Sequence, residues 1–119
     1  IHPVMAAKQC ATCDHIGSGR FGLNIVSGYN KADFELFGIK MLDHDERYLY
    51  TEEWTTILKR LWSEKERFDF NGKYFQLKGS VGNPLPVGQP KIISAGSSEA
   101  GRRFAIKHTD FLFMCILKL

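Results

Sequence analysis

Gly19-Arg20-Phe21-Gly22-Leu23-Asn24-Ile25-Val26-Ser27-Gly28-Tyr29-Asn30 is a run of buried-type residues that ends in polar and glycine positions. A strand covered on both faces reads as a near-continuous apolar segment, so Phe21 to Val26 predicts a first parallel strand. In a barrel, the C-terminal ends of the strands deliver the binding groups. The pattern returns at Pro90-Lys91-Ile92-Ile93-Ser94-Ala95-Gly96-Ser97-Ser98, followed by a helical pattern from Glu99. Two strand ends of this kind predict one shared pocket.

Upstream, Pro3 suits a first helical turn and Ala6, Ala7, Lys8 and Gln9 favour helix, which predicts a helix over His2 to Ile16. Its expected apolar face is Met5, Cys10, Cys13 and Ile16, and Gly17 is expected to stop it in the left-handed conformation. Downstream, residues 29 to 43 read as an irregular excursion holding Phe34, Phe37 and Met41. Asp43 with Glu46 three residues later reads as a helix start, and Trp54, Ile57, Leu58, Leu61 and Trp62 carry the helical spacing to about Ser63. Asn71-Gly72 between Phe68-Asp69-Phe70 and Tyr74-Phe75-Gln76-Leu77 predicts a β-hairpin. A loop over Gly79 to Pro90, a strand over Lys91 to Ala95, a helix over Ser98 to Lys107 and a strand over Asp110 to Phe113 complete the order. Alternation of this kind is α/β, and right-handed crossovers make the three main strands parallel. A closed barrel needs eight strands and roughly 250 residues; this chain supplies fewer than half.

The 119 residues are 44% apolar and 24% charged, the balance of a globular chain. A net charge of +3 from scattered basic residues gives little support for nucleic-acid binding. No run reaches the roughly 18 apolar residues of a membrane span. Three cysteines, an odd number, fit a reducing compartment, so a cytoplasmic setting is expected. The chain opens at Ile1-His2-Pro3 and stops in the apolar run Phe111 to Leu119, and so reads as an excerpt of a longer protein.

Gly17-Ser18-Gly19-Arg20-Phe21-Gly22 has the G-x-G-x-x-G spacing of a dinucleotide site, but a helix precedes it and a strand follows, the reverse of what that fingerprint needs. Cys10-Ala11-Thr12-Cys13 lacks the second ligand pair of a structural zinc site, so core packing is expected and no metal. Gly96-Ser97-Ser98 at a strand-to-helix junction offers N–H groups, hydroxyls and a helix N-terminus, suited to a phosphate or to a plain serine cap. In His44-Asp45-Glu46-Arg47-Tyr48, Arg47 and Tyr48 could aim a cation and a phenol at an anion; a solvated charge cluster is the plainer reading.

In this order, the His2-Pro3 helix, GRFGLNIVSGYN, HDERY, NGKYFQLKG and SAGSSEAGRRFA resemble the bacterial luciferase-like, flavin-dependent monooxygenases over nearly the whole chain. Ser27-Gly28-Tyr29-Asn30 is more similar to the dimethyl-sulfone and pyrimidine oxygenase branches than to the alkanesulfonate monooxygenases. The resemblance implies that residues 1–119 are a partial luciferase-like domain: the central fragment of a (β/α)8 TIM barrel, both ends missing, with the hairpin and the 29 to 43 excursion as insertions. It implies reduced FMN as co-substrate, O2, a small organic substrate that gains one oxygen atom, a separate NAD(P)H-dependent flavin reductase, and a homo-oligomer at full length. Residue by residue, it implies flavin contact for Asn24 at a strand end, for the Arg47–Tyr48 pair and for Asp33, which stands where relatives carry a glutamate. It places Ser97, with Ser98 beside it, at the flavin phosphate. Tyr29 stands where a tryptophan is more familiar. The groups tied to oxygenation lie on other strands, so no catalytic residue is assigned within this chain. Two alternatives remain: a deazaflavin-dependent oxidoreductase of the same superfamily, and a non-catalytic half-barrel remnant that binds flavin phosphate or a partner.

Overall fold

The computed structural model describes residues 1–114. The element order is α1 (Pro3–Ile16), β1 (Gly22–Ile25), α2 (Lys31–Leu36), α3 (His44–Ser63), β2 (Phe68–Asn71), β3 (Gln76–Ser80), β4 (Lys91–Ser94), α4 (Glu99–His108) and β5 (Phe111–Leu112). The part of the terminal apolar run from Cys115 onward lies outside the described residues.

The predicted parallel sheet is present, in the order β1-β4-β5. β1 and β4 pair in register from Gly22↔Lys91 to Ile25↔Ser94. Both strands therefore end at the same edge of the sheet. Leu23, Ile25 and Ile92 turn to the helices and join a core built on Ile57, Leu58 and Leu61 of α3, Phe104 of α4 and Ala6 and Ala7 of α1. Asn24 and its partner Ile93 stand on the opposite face. Within these residues the helices cover one face of β1, leaving Asn24 exposed and Val26 66% exposed on the other side.

Helix α1 forms where expected, with His2 as its cap; Nδ1 accepts from the Val4 N–H at 3.3 Å. Its buried face differs from the expected one. Met5, Cys13 and Ile16 are exposed, and Ala6, Ala7, Cys10, Ala11 and Asp14 are buried. Small residues let the backbone of α1 come close to α3, so the larger apolar side chains are left outside. Gly17 does not take the left-handed turn; Ser18 (φ 52°) and Gly19 (φ 78°) do.

Asp14 is fully buried and ties two loops together, accepting from the N–H of Gly88 (2.8 Å) and Phe21 (3.2 Å). These bonds, Gly88 foremost, hold its carboxyl below the usual aspartate value of 3.8. A carboxylate lowered in the folded state adds stability that is fully present above its unfolded value and fades as pH falls through the folded one. Acid should therefore loosen the 87–88 and 17–21 loops together. Urea unfolding between about pH 3 and pH 7 should show a steeper acid-side loss of stability in the wild type than in Asp14→Asn; parallel profiles would deny Asp14 this role.

The excursion at 29 to 43 is not wholly irregular. Asn30 caps α2 by accepting from Ala32 N–H at 3.2 Å. The hairpin β2–β3 is also present, but its turn is not at Asn71-Gly72. Asn71 is in the strand, paired with Gln76, and the chain reverses over residues 72 to 75. The turn is shifted because the Glu53 side chain binds three of its N–H groups, those of Lys73 (2.6 Å), Tyr74 (2.9 Å) and Phe75 (3.3 Å). Gly72 makes this possible: a Cβ there would lie 2.3 Å from Glu53 Oε2. The remaining expected elements form with ends moved by one or two residues.

Candidate functional site

The site lies where β1 and β4 end and α3 and α4 begin. Since β1 and β4 run parallel, Ser27–Asn30 and Ala95–Ser98 leave the sheet at the same edge. The first turns of α3 are tied to this edge. Thr51 Oγ1 sits 3.0 Å from Ser27 Oγ and donates to the Arg47 carbonyl at 2.7 Å.

Tyr48 crosses from α3 to the β4–α4 junction. Its ring packs near Phe104 (centroids 6.2 Å apart) and edge-on to His44 (5.3 Å). Its hydroxyl lies over two glycines: a Cβ on Gly96 would sit 2.8 Å from it, and one on Gly101 2.7 Å. Gly96 and Gly101 also approach each other closely, a Cβ on either meeting the other's Cα at 2.9 Å. Among the described residues the Tyr48 hydroxyl has no hydrogen-bond partner, which leaves it free to donate.

At the same place α4 begins. Ser98 is its N-cap and accepts from Gly101 N–H at 3.1 Å, while its own O–H proton remains available. Among the described residues the N–H groups of Glu99 and Ala100 find no acceptor, as the first turn of a helix leaves them. Ser97 is exposed. Free N–H groups, hydroxyls and the positive end of a helix dipole are the groups from which an anion cradle can be built.

Arg47 is half-buried, and Nη1 donates to the Leu42 carbonyl at 2.9 Å. Among the described residues its Nε is buried without a hydrogen-bond partner. Asn24 is the third of four residues in β1 rather than at its very end, on the face away from the helices. Asp33 is on α2, where it accepts from Asn30 Nδ2 at 3.1 Å. The structure thus sets the Tyr48 hydroxyl over Gly96, the residue before Ser97, and over Gly101, whose N–H Ser98 accepts from, and puts Arg47 next to Tyr48 on α3; among the described residues no hydrogen bond joins Asn24 or Asp33 to this group.

Among the described residues no three His, Cys, Asp or Glu side chains gather as for a metal ion, and no helix is long and apolar enough to cross a membrane. Cys10 and Cys13 are free thiols; burial, and then Cys13, pushes the Cys10 thiol up.

The profile of the luciferase-like monooxygenases matches residues 1–118. The chain belongs to that family. It is 40% identical over 111 residues to an FMNH2-dependent dimethylsulfone monooxygenase of Pseudomonas fluorescens, a match covering 93% of this chain and 30% of that protein. It is 39% identical over 114 residues to the pyrimidine monooxygenase RutA of a Bradyrhizobium species, covering 94% and 31%. Among solved structures, a riboflavin lyase with modified FMN and riboflavin superposes with a TM-score of 0.89 at 26% identity, covering 99% of this chain and 31% of that one. The chain thus spans about 30% of the length of the relatives it matches. The structural likeness places the parallel sheet in a luciferase-like α/β fold.

Several residues that shape this candidate site carry no signal in the sequence. Gly101 and Thr51 carry no local signal, since each acts on a residue distant in sequence. Glu52 was also unread; it bridges α3 to α4 by accepting from Lys107 Nζ, with His108 Nε2 at 3.1 Å, an approach short of a well-aligned hydrogen bond. The Lys107 ammonium, and then His108, hold the Glu52 carboxyl below the usual glutamate range. This bridge adds a polar tie to the packing of Phe104 of α4 against the α3 core residues.

Proposed function

We propose that this chain is the cofactor-phosphate wall of a reduced-FMN-dependent monooxygenase, the central part of a (β/α)8 barrel with a hairpin inserted between β1 and β4. The observation that carries the reading is the free Tyr48 hydroxyl above Gly96 and Gly101, beside Ser97 and the unpaired first-turn N–H groups of α4. Those groups suit a phosphate by chemistry as well as by place. Tyr48 and Ser97 would each donate a hydrogen bond to a phosphate oxygen, Ser98 would add its O–H, and the Arg47 cation would balance charge nearby. Asn24, on the sheet face away from the helices, would meet the polar edge of the ring system, where an amide can both donate and accept. Asp33 would approach from the first turn of α2, the short helix that follows β1.

When bound, reduced FMN would supply the electrons that activate O2 for transfer of one oxygen atom to the substrate. The protein's share is to fix the cofactor and exclude water. The names of its relatives support FMNH2 over a deazaflavin and suggest a small sulfone or pyrimidine as substrate; a sulfonate is a third class proposed from the family resemblance alone. A separate flavin reductase would deliver the cofactor, and a cytoplasmic homo-oligomer is proposed for the complete enzyme. The 119-residue chain alone would hold the phosphate without turnover.

Anaerobic titration of the complete enzyme with reduced FMN tests the assignment. Ser97→Ala and Tyr48→Phe should each weaken binding about tenfold, the loss of one hydrogen bond to a charged group. If neither substitution has an effect, the phosphate is held elsewhere. Tighter binding of a deazaflavin than of FMN would move the chain to the other branch of the superfamily.

A further inference from the structure

We infer that the tip of the β2–β3 hairpin positions the cofactor-binding turn of α3, with Glu46, Lys73 and Tyr74 as positioning residues. The inference rests on the reading of Arg47 and Tyr48 as cofactor contacts. Both leave α3 from its first turns, directly after Glu46. That helix end lacks the usual support: Asp43 is its N-cap but makes no side-chain hydrogen bond to the first-turn N–H groups.

Glu46, read from sequence as the capping-box partner of Asp43, reaches away from the helix instead. Its Oε1 accepts from Lys73 Nζ at 2.7 Å and from the Tyr74 hydroxyl at 3.1 Å. Lys73 foremost, and then Tyr74, hold the Glu46 carboxyl below the usual glutamate range. One heptad further along α3, Glu53 binds the N–H groups of the same loop. Between the two carboxylates, the Tyr50 ring packs on Tyr74 (5.3 Å) and Phe75 (4.9 Å).

The two grips have different consequences. Glu53 and Tyr50 dock the hairpin on the body of α3. Glu46 then ties the uncapped first turn to a loop that is already fixed. Loss of the Glu46 grip leaves the hairpin docked but frees the turn that carries Arg47 and Tyr48. Lys73 and Glu46 are 62% and 36% exposed, so their pair adds little to global stability. Its effect should therefore appear in cofactor affinity rather than in melting temperature.

The test compares Glu46→Gln, Lys73→Met and Lys73→Arg in the complete enzyme by anaerobic reduced-FMN titration, thermal unfolding and amide exchange of residues 44–48. Glu46→Gln and Lys73→Met should weaken reduced FMN about fivefold, with faster exchange in the first turn of α3 and little change in Tm. Lys73→Arg should restore the wild-type affinity. Two results overturn the inference: unchanged affinity in both disruptive variants while Tyr48→Phe still weakens binding, or an affinity loss that tracks Tm and is not rescued by arginine. If Tyr48→Phe also binds normally, the cofactor reading itself has failed and this inference falls with it.

Discussion

Gly101→Ala is expected to destabilise the protein by about 1–3 kcal/mol, the range for overpacking a filled site. Helix propensity alone points the other way, since alanine inside a helix is favoured over glycine by roughly 0.5–1 kcal/mol. The sign therefore decides between local and tertiary control. Gly101 is buried in α4, and its added Cβ would meet the Gly96 Cα at 2.9 Å and the Tyr48 hydroxyl at 2.7 Å. The Tyr48 hydroxyl can swing aside, but the Gly96 backbone can yield only if the β4–α4 junction opens. Either movement disturbs the anion cradle. Reduced-FMN affinity should fall along with the urea midpoint, and a midpoint that rises would show that the close approach of Gly96 and Gly101 does not govern this junction.

Gly82→Val should cost more, about 3–5 kcal/mol, because the clash is with backbone. A Cβ at Gly82 would lie 1.7 Å from the Leu61 carbonyl oxygen and 2.8 Å from its carbon. Leu61 is in the core at 2% exposure, so the loop before β4 must lift away from α3. That loop is also held by Lys8 Nζ on the Asn83 carbonyl (3.4 Å), His15 Nε2 at the Leu85 carbonyl (2.8 Å) and Asp14 on Gly88 N–H (2.8 Å). It enters β4 at the end of the sheet opposite the cradle, where residues serve stability. Thermal unfolding should show a large drop in Tm, while folded protein at low temperature keeps its cofactor affinity. The contrast with Gly101 is the informative part: one glycine holds the site and the other holds the scaffold. A Tm within a few degrees of wild type would mean that the loop can rearrange without cost.

How much of this was legible in the sequence follows from the range over which each residue acts. The strands at 22–25 and 91–94 are readable because each is a short apolar run bounded by glycine and polar residues, and the polar groups just past them mark the site edge. Ser98 was readable as a cap because capping is local. The buried face of α1 was misread, since alanines at a close helix contact displace larger apolar residues that an apolar stripe would favour. The hairpin turn was misplaced because a distant side chain, Glu53, outweighs the preference of Asn-Gly for a tight turn. Glu46 was assigned to its own helix end, whereas its partners are 27 and 28 residues away. The paired approach of Gly96 and Gly101 under Tyr48 has no sequence signature at all; only the folded junction shows why neither position can carry a side chain.

If Tyr48, Ser97 and the N-terminus of α4 hold a flavin phosphate, two ligands that differ by that group should bind very differently. Anaerobic titration of the complete enzyme with reduced FMN and with reduced riboflavin isolates the phosphate contribution. FMN should bind about 100-fold tighter, the worth of two hydrogen bonds to a charged group, and Ser97→Ala should narrow the gap about tenfold. Equal affinity for the two flavins, or a gap untouched by Ser97→Ala, would contradict that placement of the phosphate.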